Sequence, residues 1–223
     1  MYDIKGNLKK VLADLPQGVR LVAVSKYHPS ESIMMAYEEG QRVFGESHEQ
    51  ELREKHTKLP SDIEWHFIGH LQTNKVKYIA PYISMIDAVD SMKLMREIDK
   101  QAKKHNRTIK ILLELHIAEE ETKYGFSLDD CRQMLENGKW RQLKNVQICG
   151  FMMMASNVSD EQKIKTEMLQ ASDFFDEIKQ KYFVNDDSFC ERSWGMSHDY
   201  HIAIQCNSTM IRVGTTIFGD RVY

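Results

Sequence analysis

Long hydrophobic runs are missing from this sequence. No stretch of about 18 uninterrupted apolar residues occurs among its 223 residues, so no segment reads as a membrane-crossing helix. The opening MYDIKGNLKK is charged where a secretory signal needs an apolar core, which makes the cytoplasm the expected location. Paired cysteines are missing too. Cys131, Cys149, Cys190 and Cys206 lie 18, 41 and 16 positions apart with no Cys-x-x-Cys, so reduced thiols are expected rather than a zinc site or a redox couple. An excess of one charge is absent: 30 Lys and Arg stand against 33 Asp and Glu, a formal net charge of -3. That balance excludes a general positive field for nucleic acid or anionic lipid, and a small molecule or a protein is the expected partner. No Pro-, Gly- or Ser-rich linker divides the chain, so residues 1–223 are read as one domain, long enough to bury a sizeable core.

What is present is an alternation of short apolar runs with longer amphipathic ones. After an opening helix over 2–15, LVAVS reads as a strand and SESIMMAYEEG as a helix capped by Ser30 and closed by Gly40. RVFG, EWHFIG, ISMIDAVD, IKILLELHI, VQICGFMMMA, SFCERSWGMS and TMIRVG supply seven further strands. Helices are predicted over 46–58, through TNKVKYIA, and over 91–105, 127–137 and 160–182. Strands that alternate with helices pair in parallel, and eight such units at this length favour a (β/α)8 TIM barrel with an additional N-terminal helix over an open sheet.

A barrel places its chemistry at the C-terminal ends of the strands, with phosphate usually held by the loops after the last two. Lys26 ends the first strand, an awkward cation after the apolar LVAV. One reading is that it snorkels to solvent. The other is that partly apolar surroundings favour its neutral amine, which attacks a carbonyl to form a Schiff base. WGMSHD and RVGTTIFG follow the last two strands and offer Ser197, Gly214 and Thr215 as phosphate ligands through hydroxyl and backbone N–H groups. Arg212 shares the parity of Gly214, so it either faces a ligand ring from the barrel wall or forms a salt bridge across barrel layers. Glu46, Ser47, His48 and Glu49 follow the second strand, where a helix N-cap explains them equally well.

Other motifs fail. His48-Glu49 begins like the zinc motif His-Glu-x-x-His, but position 52 is Leu; Gly195-Met196-Ser197 begins like a nucleophile elbow, but Asp199 replaces its second Gly. Ser197, His198 and Asp199 are consecutive and do not converge as a triad. Met152 to Met154 read as barrel lining, and no metal site is expected.

Seven segments, LVAVSK, FGESHEQE, WHFIGHLQTNK, TKYG, GFMMMA, SWGMSHD and STMIRVGTTIFG, resemble in order those of the pyridoxal phosphate homeostasis (YggS/PROSC) family, relatives of the alanine racemase N-terminal barrel. The resemblance implies a barrel that carries pyridoxal 5'-phosphate as an internal aldimine on Lys26. It also implies phosphate contacts at Ser197, Gly214 and Thr215, with Arg212 facing the pyridine nitrogen. The chain departs from the family pattern at Ser47, where Asn is usual, at His70, where Pro is usual, and at Asn207, where Gly is usual.

The implied role is intracellular cofactor homeostasis and supply with little or no turnover, with apo pyridoxal phosphate enzymes as recipients and a monomer as the expected state. A low-activity amino-acid racemase is the alternative, although racemisation needs two opposed bases and the sequence identifies only Lys26. The C-terminal β domain that alanine racemases add is also not expected after the eighth strand and its short tail to Tyr223. A lysine-dependent aldolase acting on a phosphosugar is a third reading.

Overall fold

The computed structural model describes residues 2–117 and 124–220. Thr122 and Lys123 of TKYG, and the C-terminal Tyr223, lie outside the described residues. Eight strands run β1 Arg20–Val24, β2 Val43–Glu46, β3 Glu64–Phe67, β4 Met85–Val89, β5 Ile109–Leu115, β6 Val146–Met153, β7 Glu191–Ser193 and β8 Met210–Val213. Each pairs in parallel with the next and β8 closes on β1, with Leu21 opposite Ile211 and Ala23 opposite Val213. The structure is therefore the expected (β/α)8 barrel. Its helices are α1 Ile4–Ala13, α2 Ser30–Glu38, α3 Glu49–Lys58, α4 Val76–Ile79, α5 Met92–Lys104, α6 Leu128–Glu136, α7 Glu161–Tyr182, α8 Tyr200–Gln205 and α9 Thr215–Phe218.

Period-two alternation, offset at irregularities in the β4–β5 and β5–β6 pairings, divides the strands between two apolar layers. Val22, Met85, Ala88, Leu112, Cys149, Met152 and Met210 pack inside the barrel, while Leu21, Ala23, Phe44, Trp65, Ile86 and Ile211 pack outward under the helices. Met152 thus lines the barrel, as its run suggested. Helix α5 shows how the outer layer is closed: Leu94, Met95, Ile98, Gln101 and Ala102 form its buried stripe, and Ser91 Oγ accepts the Leu94 N–H to cap it. In α7 the Asp160 side chain accepts from the Gln162 and Lys163 N–H groups, and Phe174 and Phe175 pack on Phe151.

Two local expectations are corrected. Ser30 does not cap α2; it is the first helical residue, Pro29 takes the cap position, and no side-chain cap bond forms. Proline's fixed φ suits the helix entry without a side-chain acceptor. Gly40 does close that helix, at φ +96°. Helix α3 starts at Glu49 with His48 as an uncapping N-cap, and Glu46 is the last residue of β2. The helical reading of Glu46 failed because a buried carboxylate at a strand end looks, in sequence, like a polar helix start.

Cys131, Cys149 and Cys206 are buried and Cys190 is exposed, all as free thiols. Among the described residues no helix is long and apolar enough to cross a membrane.

Candidate functional site

On β1, Val22 faces the barrel interior and Val24 lines the cavity above it, so Lys26 follows on the same side just past the strand. On β8, Met210 lies inside and Arg212 and Gly214 continue that parity. Together they bound a cavity of about 380 Å³ at the C-terminal ends of the strands, lined by Lys26, Ser197, Arg212, Gly214 and Thr215. All five residues picked from the sequence therefore meet at one mouth. A larger open groove of about 850 Å³ lies on the outer face beside α1 and α2 and contains none of them. Its position away from the strand ends makes it the lesser candidate.

One wall is a cup made by two loops. Ser197 Oγ lies 3.1 Å from the Gly214 nitrogen, whose N–H it accepts, which brings the loop after β7 against the start of α9. A Cβ on Gly214 would meet the Val24 carbonyl oxygen at 3.1 Å, so glycine lets the β8 backbone pass close to β1. The Ser197 loop is held from behind: Tyr200 N donates to the Met196 carbonyl at 2.9 Å, and Gly195 at φ +97° avoids a contact of 2.6 Å with the Ala203 methyl. The cup offers a hydroxyl at Ser197, a hydroxyl at Thr215 and backbone N–H groups, a donor set suited to a phosphate dianion.

The floor carries a fixed cation. Arg212 is buried; Nη1 donates to the Ser193 carbonyl and Oγ, both at 2.7 Å, and Nη2 donates to the Met153 carbonyl at 2.9 Å. Burial disfavours the charged guanidinium, while Asp87, Asp199 and Glu114 favour it. Among the described residues Arg212 has no carboxylate within ion-pair distance, so a direct salt bridge across layers is not its role. Its hydrogen bonds instead tie β8 to β6 and β7.

Glu114 stands near this arginine at the end of β5, with Oε2 buried and without a hydrogen-bond partner. Burial foremost, and then the Asp90 charge, push its carboxyl up to about 7, with Arg212 opposing. The native state then holds this proton more tightly than the unfolded chain, so the Glu114 contribution is present below about pH 4.5 and is lost as pH rises through about 7. Glu114→Gln is accordingly expected to raise stability at pH 8 by on the order of 2–3 kcal/mol and to change it little below the unfolded pKa. Urea midpoints at the two pH values check this; an equal gain at both contradicts it.

The three departures from the family pattern lie away from the cavity lining. Ser47 packs against Gly69, where a Cβ would meet its own at 2.8 Å. His70 Nδ1 lies 3.0 Å from Asp90 Oδ2, and its ring stacks on Tyr124 at 3.7 Å. Asn207 adopts φ +62°, a conformation that glycine takes freely and that asparagine tolerates better than most residues. Its Nδ2 donates to Ser172 Oγ at 3.2 Å. Sequence reasoning missed two polar lining residues, His28 and Asn157, and weighed His198 only as a member of a failed triad. The available signal was their position just beyond strands β1, β6 and β7.

The alanine racemase N-terminal domain family matches residues 2–222. A pyridoxal phosphate homeostasis protein of Aquifex aeolicus is 35% identical over 205 residues, covering 92% of this chain and 88% of that protein. The human protein of the same name is 34% identical over 214 residues, covering 92% and 77%. The chain belongs to the pyridoxal phosphate homeostasis protein family. Among solved structures, PipY of Synechococcus elongatus PCC7942, described as a COG0325 family member and solved without pyridoxal phosphate, superimposes with a TM-score of 0.90 at 36% identity, covering 97% of this chain and all of that one. The PipY structure with pyridoxal phosphate bound gives a TM-score of 0.87 at 35% identity. Beyond the homeostasis family, alanine racemase of Clostridium difficile 630 shares the fold alone, with a TM-score of 0.74 at 13% identity over 56% of its length.

Proposed function

We propose that the chain binds pyridoxal 5'-phosphate in the cavity at the barrel mouth and serves cofactor homeostasis and supply in the cytoplasm, with little or no turnover. The observation that carries this reading is the placement of Lys26 and the Ser197, Gly214 and Thr215 cup around one cavity of about 380 Å³. A phosphate-bearing aldehyde is the ligand class that needs both an amine and an anion cup. PipY, of the same family, binds pyridoxal phosphate.

In this reading the Lys26 amine holds the aldehyde as a Schiff base. The Ser197 and Thr215 hydroxyls and the backbone around Gly214 hold the phosphate. Arg212 presents a fixed cation to the ring nitrogen and disfavours its protonation, which limits the electron sink that the cofactor supplies for carbanion chemistry when bound. Weak turnover and retention of the ligand follow from that pairing. Release to apo pyridoxal phosphate enzymes is the corresponding use.

Ser197→Ala and Thr215→Ala are each expected to weaken pyridoxal phosphate retention by about 1.5–3 kcal/mol, because each deletes a hydrogen bond to a charged acceptor. Dialysis against buffer, followed by the visible band, measures this. Parental retention in both variants would refute the assigned cup.

Racemisation remains the second reading, favoured by the two histidines in the lining. His198 Nε2 lies 3.4 Å from Asp199 Oδ2, and His198 lines the same cavity as Lys26, an arrangement able to support a second base there. In heavy water, incorporation of deuterium at Cα of alanine that disappears in His198→Gln would establish it. No exchange at high protein concentration would remove it for that substrate.

A further inference from the structure

Behind the β1 terminus lies a buried charge cluster that does not reach the cavity. Lys55 of α3 is 5% exposed, and its ammonium donates to the Ser25 carbonyl at 2.8 Å, to Glu46 Oε1 at 2.8 Å and to Glu51 Oε1 at 2.6 Å. All three of its hydrogens are thereby used. Glu46 Oε1 also accepts from Ser25 Oγ at 2.6 Å, and Glu51 Oε1 accepts the Tyr27 N–H at 2.7 Å. The contacts to β1 and its turn therefore fall on the two peptide groups that flank Lys26: the carbonyl of the Ser25–Lys26 peptide and the N–H of the Lys26–Tyr27 peptide.

The backbone between those contacts is an unusual one. The His28 N–H closes a turn on the Ser25 carbonyl at 3.1 Å, and Tyr27 sits at φ +66°, a region that a bulky residue occupies only when its surroundings impose it. A buried cation shared by two carboxylates is a poor device for stability, since apolar side chains of similar size commonly do as well. Its suitability lies in fixing geometry.

We propose that Lys55, together with Glu46 and Glu51, is a positioning device that clamps both peptide groups beside Lys26 and so aims the Lys26 amine into the cavity. The inference rests on the reading of Lys26 as the covalent anchor. Attachment forms a C=N bond between the amine and the aldehyde and releases the aldehyde oxygen as water, with no oxidant or reductant. A misaimed amine slows that step while leaving the phosphate cup untouched.

The test compares the parent protein with Lys55→Met, Glu51→Ala and Glu51→Gln, using two probes. Pyridoxal 5'-phosphate reports attachment through the rate of the borohydride-trappable adduct; pyridoxine 5'-phosphate, which lacks the aldehyde, reports the non-covalent half by calorimetry. Attachment is expected to slow about tenfold or more in Lys55→Met and Glu51→Ala, with pyridoxine 5'-phosphate affinity within about twofold of the parent. Glu51→Gln keeps an oxygen for the Tyr27 N–H and is expected to recover most of the rate. Parental rates in the folded variants overturn the proposal, as does an equal loss for both probes, which marks general loosening. Glu51 lies at the more exposed end of the cluster, so its variants decide the matter should Lys55→Met not fold. A parent protein that traps nothing on Lys26 refutes the reading of that lysine and the positioning role with it.

Discussion

Gly150→Ala is expected to cost about 3–5 kcal/mol, a large fraction of the stability of an ordinary domain. Gly150 sits in β6 at φ +147°, and an added Cβ would lie 1.9 Å from the Glu191 carbonyl oxygen and 2.8 Å from its carbon. Those atoms belong to the backbone of β7, which is paired to Gly150 directly and cannot rotate aside as a side chain would. On the other edge of β6 the register with β5 shifts between Ile111 and Leu112, so the strand carries an irregularity there, and Gly150 is the residue paired with Leu112. The substitution therefore pushes β6 from β7 at the point where Gly150 pairs with Glu191. Gly18→Ala is the control: it too has positive φ, +91°, but nothing lies within 4 Å of its added Cβ. Urea titrations followed by circular dichroism are expected to show a small shift for Gly18→Ala and a severe one for Gly150→Ala. Equal shifts would mean that φ alone, rather than the β7 backbone, sets the cost.

Arg212→Met is expected to destabilise the barrel by about 3–5 kcal/mol at pH 8, because it removes the cation from a buried set of carboxylates. The Ser193 and Met153 carbonyls lose their donors, and Glu114 loses the charge that favours its ionised form. The loss has a pH dependence with a definite sign. Below the midpoint of Glu114, pushed up to about 7 by burial, that carboxyl carries a proton and no longer needs the arginine, so the cost shrinks toward pH 5. Arg212→Lys is expected to fall between parent and Met. It keeps the charge but loses the planar fork that reaches β6 and β7 together. Melting curves of the three proteins at pH 5 and pH 8 check both statements, and a cost that is flat or larger at pH 5 contradicts the electrostatic account.

The barrel was legible because its strands are short, apolar and separated by helical segments, and because Val22, Val24 and Lys26 on one side, and Met210, Arg212 and Gly214 on the other, keep a strict period of two. That period is local, so it survives in a bare sequence. The Lys55 cluster was not legible, since Ser25, Glu46 and Lys55 lie 21 and 9 positions apart along the chain and meet only when β1, β2 and α3 pack. Glu46 was for the same reason misread as a helix start. His28 and Asn157, and the place of His198 in the lining, were missed because no phosphate-cup motif singles them out as it does Ser197 and Thr215, and Gly150 because nothing in ICGFMM marks which neighbour crowds its Cα. Asn207, in contrast, was visible as a departure, and its positive φ supplies the physical reason that Gly is the usual residue there.

The central claim is that Lys26 is the covalent anchor opposite the phosphate cup. Its most direct test is borohydride reduction of the protein loaded with pyridoxal 5'-phosphate, followed by proteolysis and mass mapping. The account expects the reduced adduct on the peptide that carries Lys26, and no borohydride-trapped adduct in Lys26→Ala. An adduct on another lysine with Lys26 unmodified, or a trapped adduct that persists in Lys26→Ala, would contradict it.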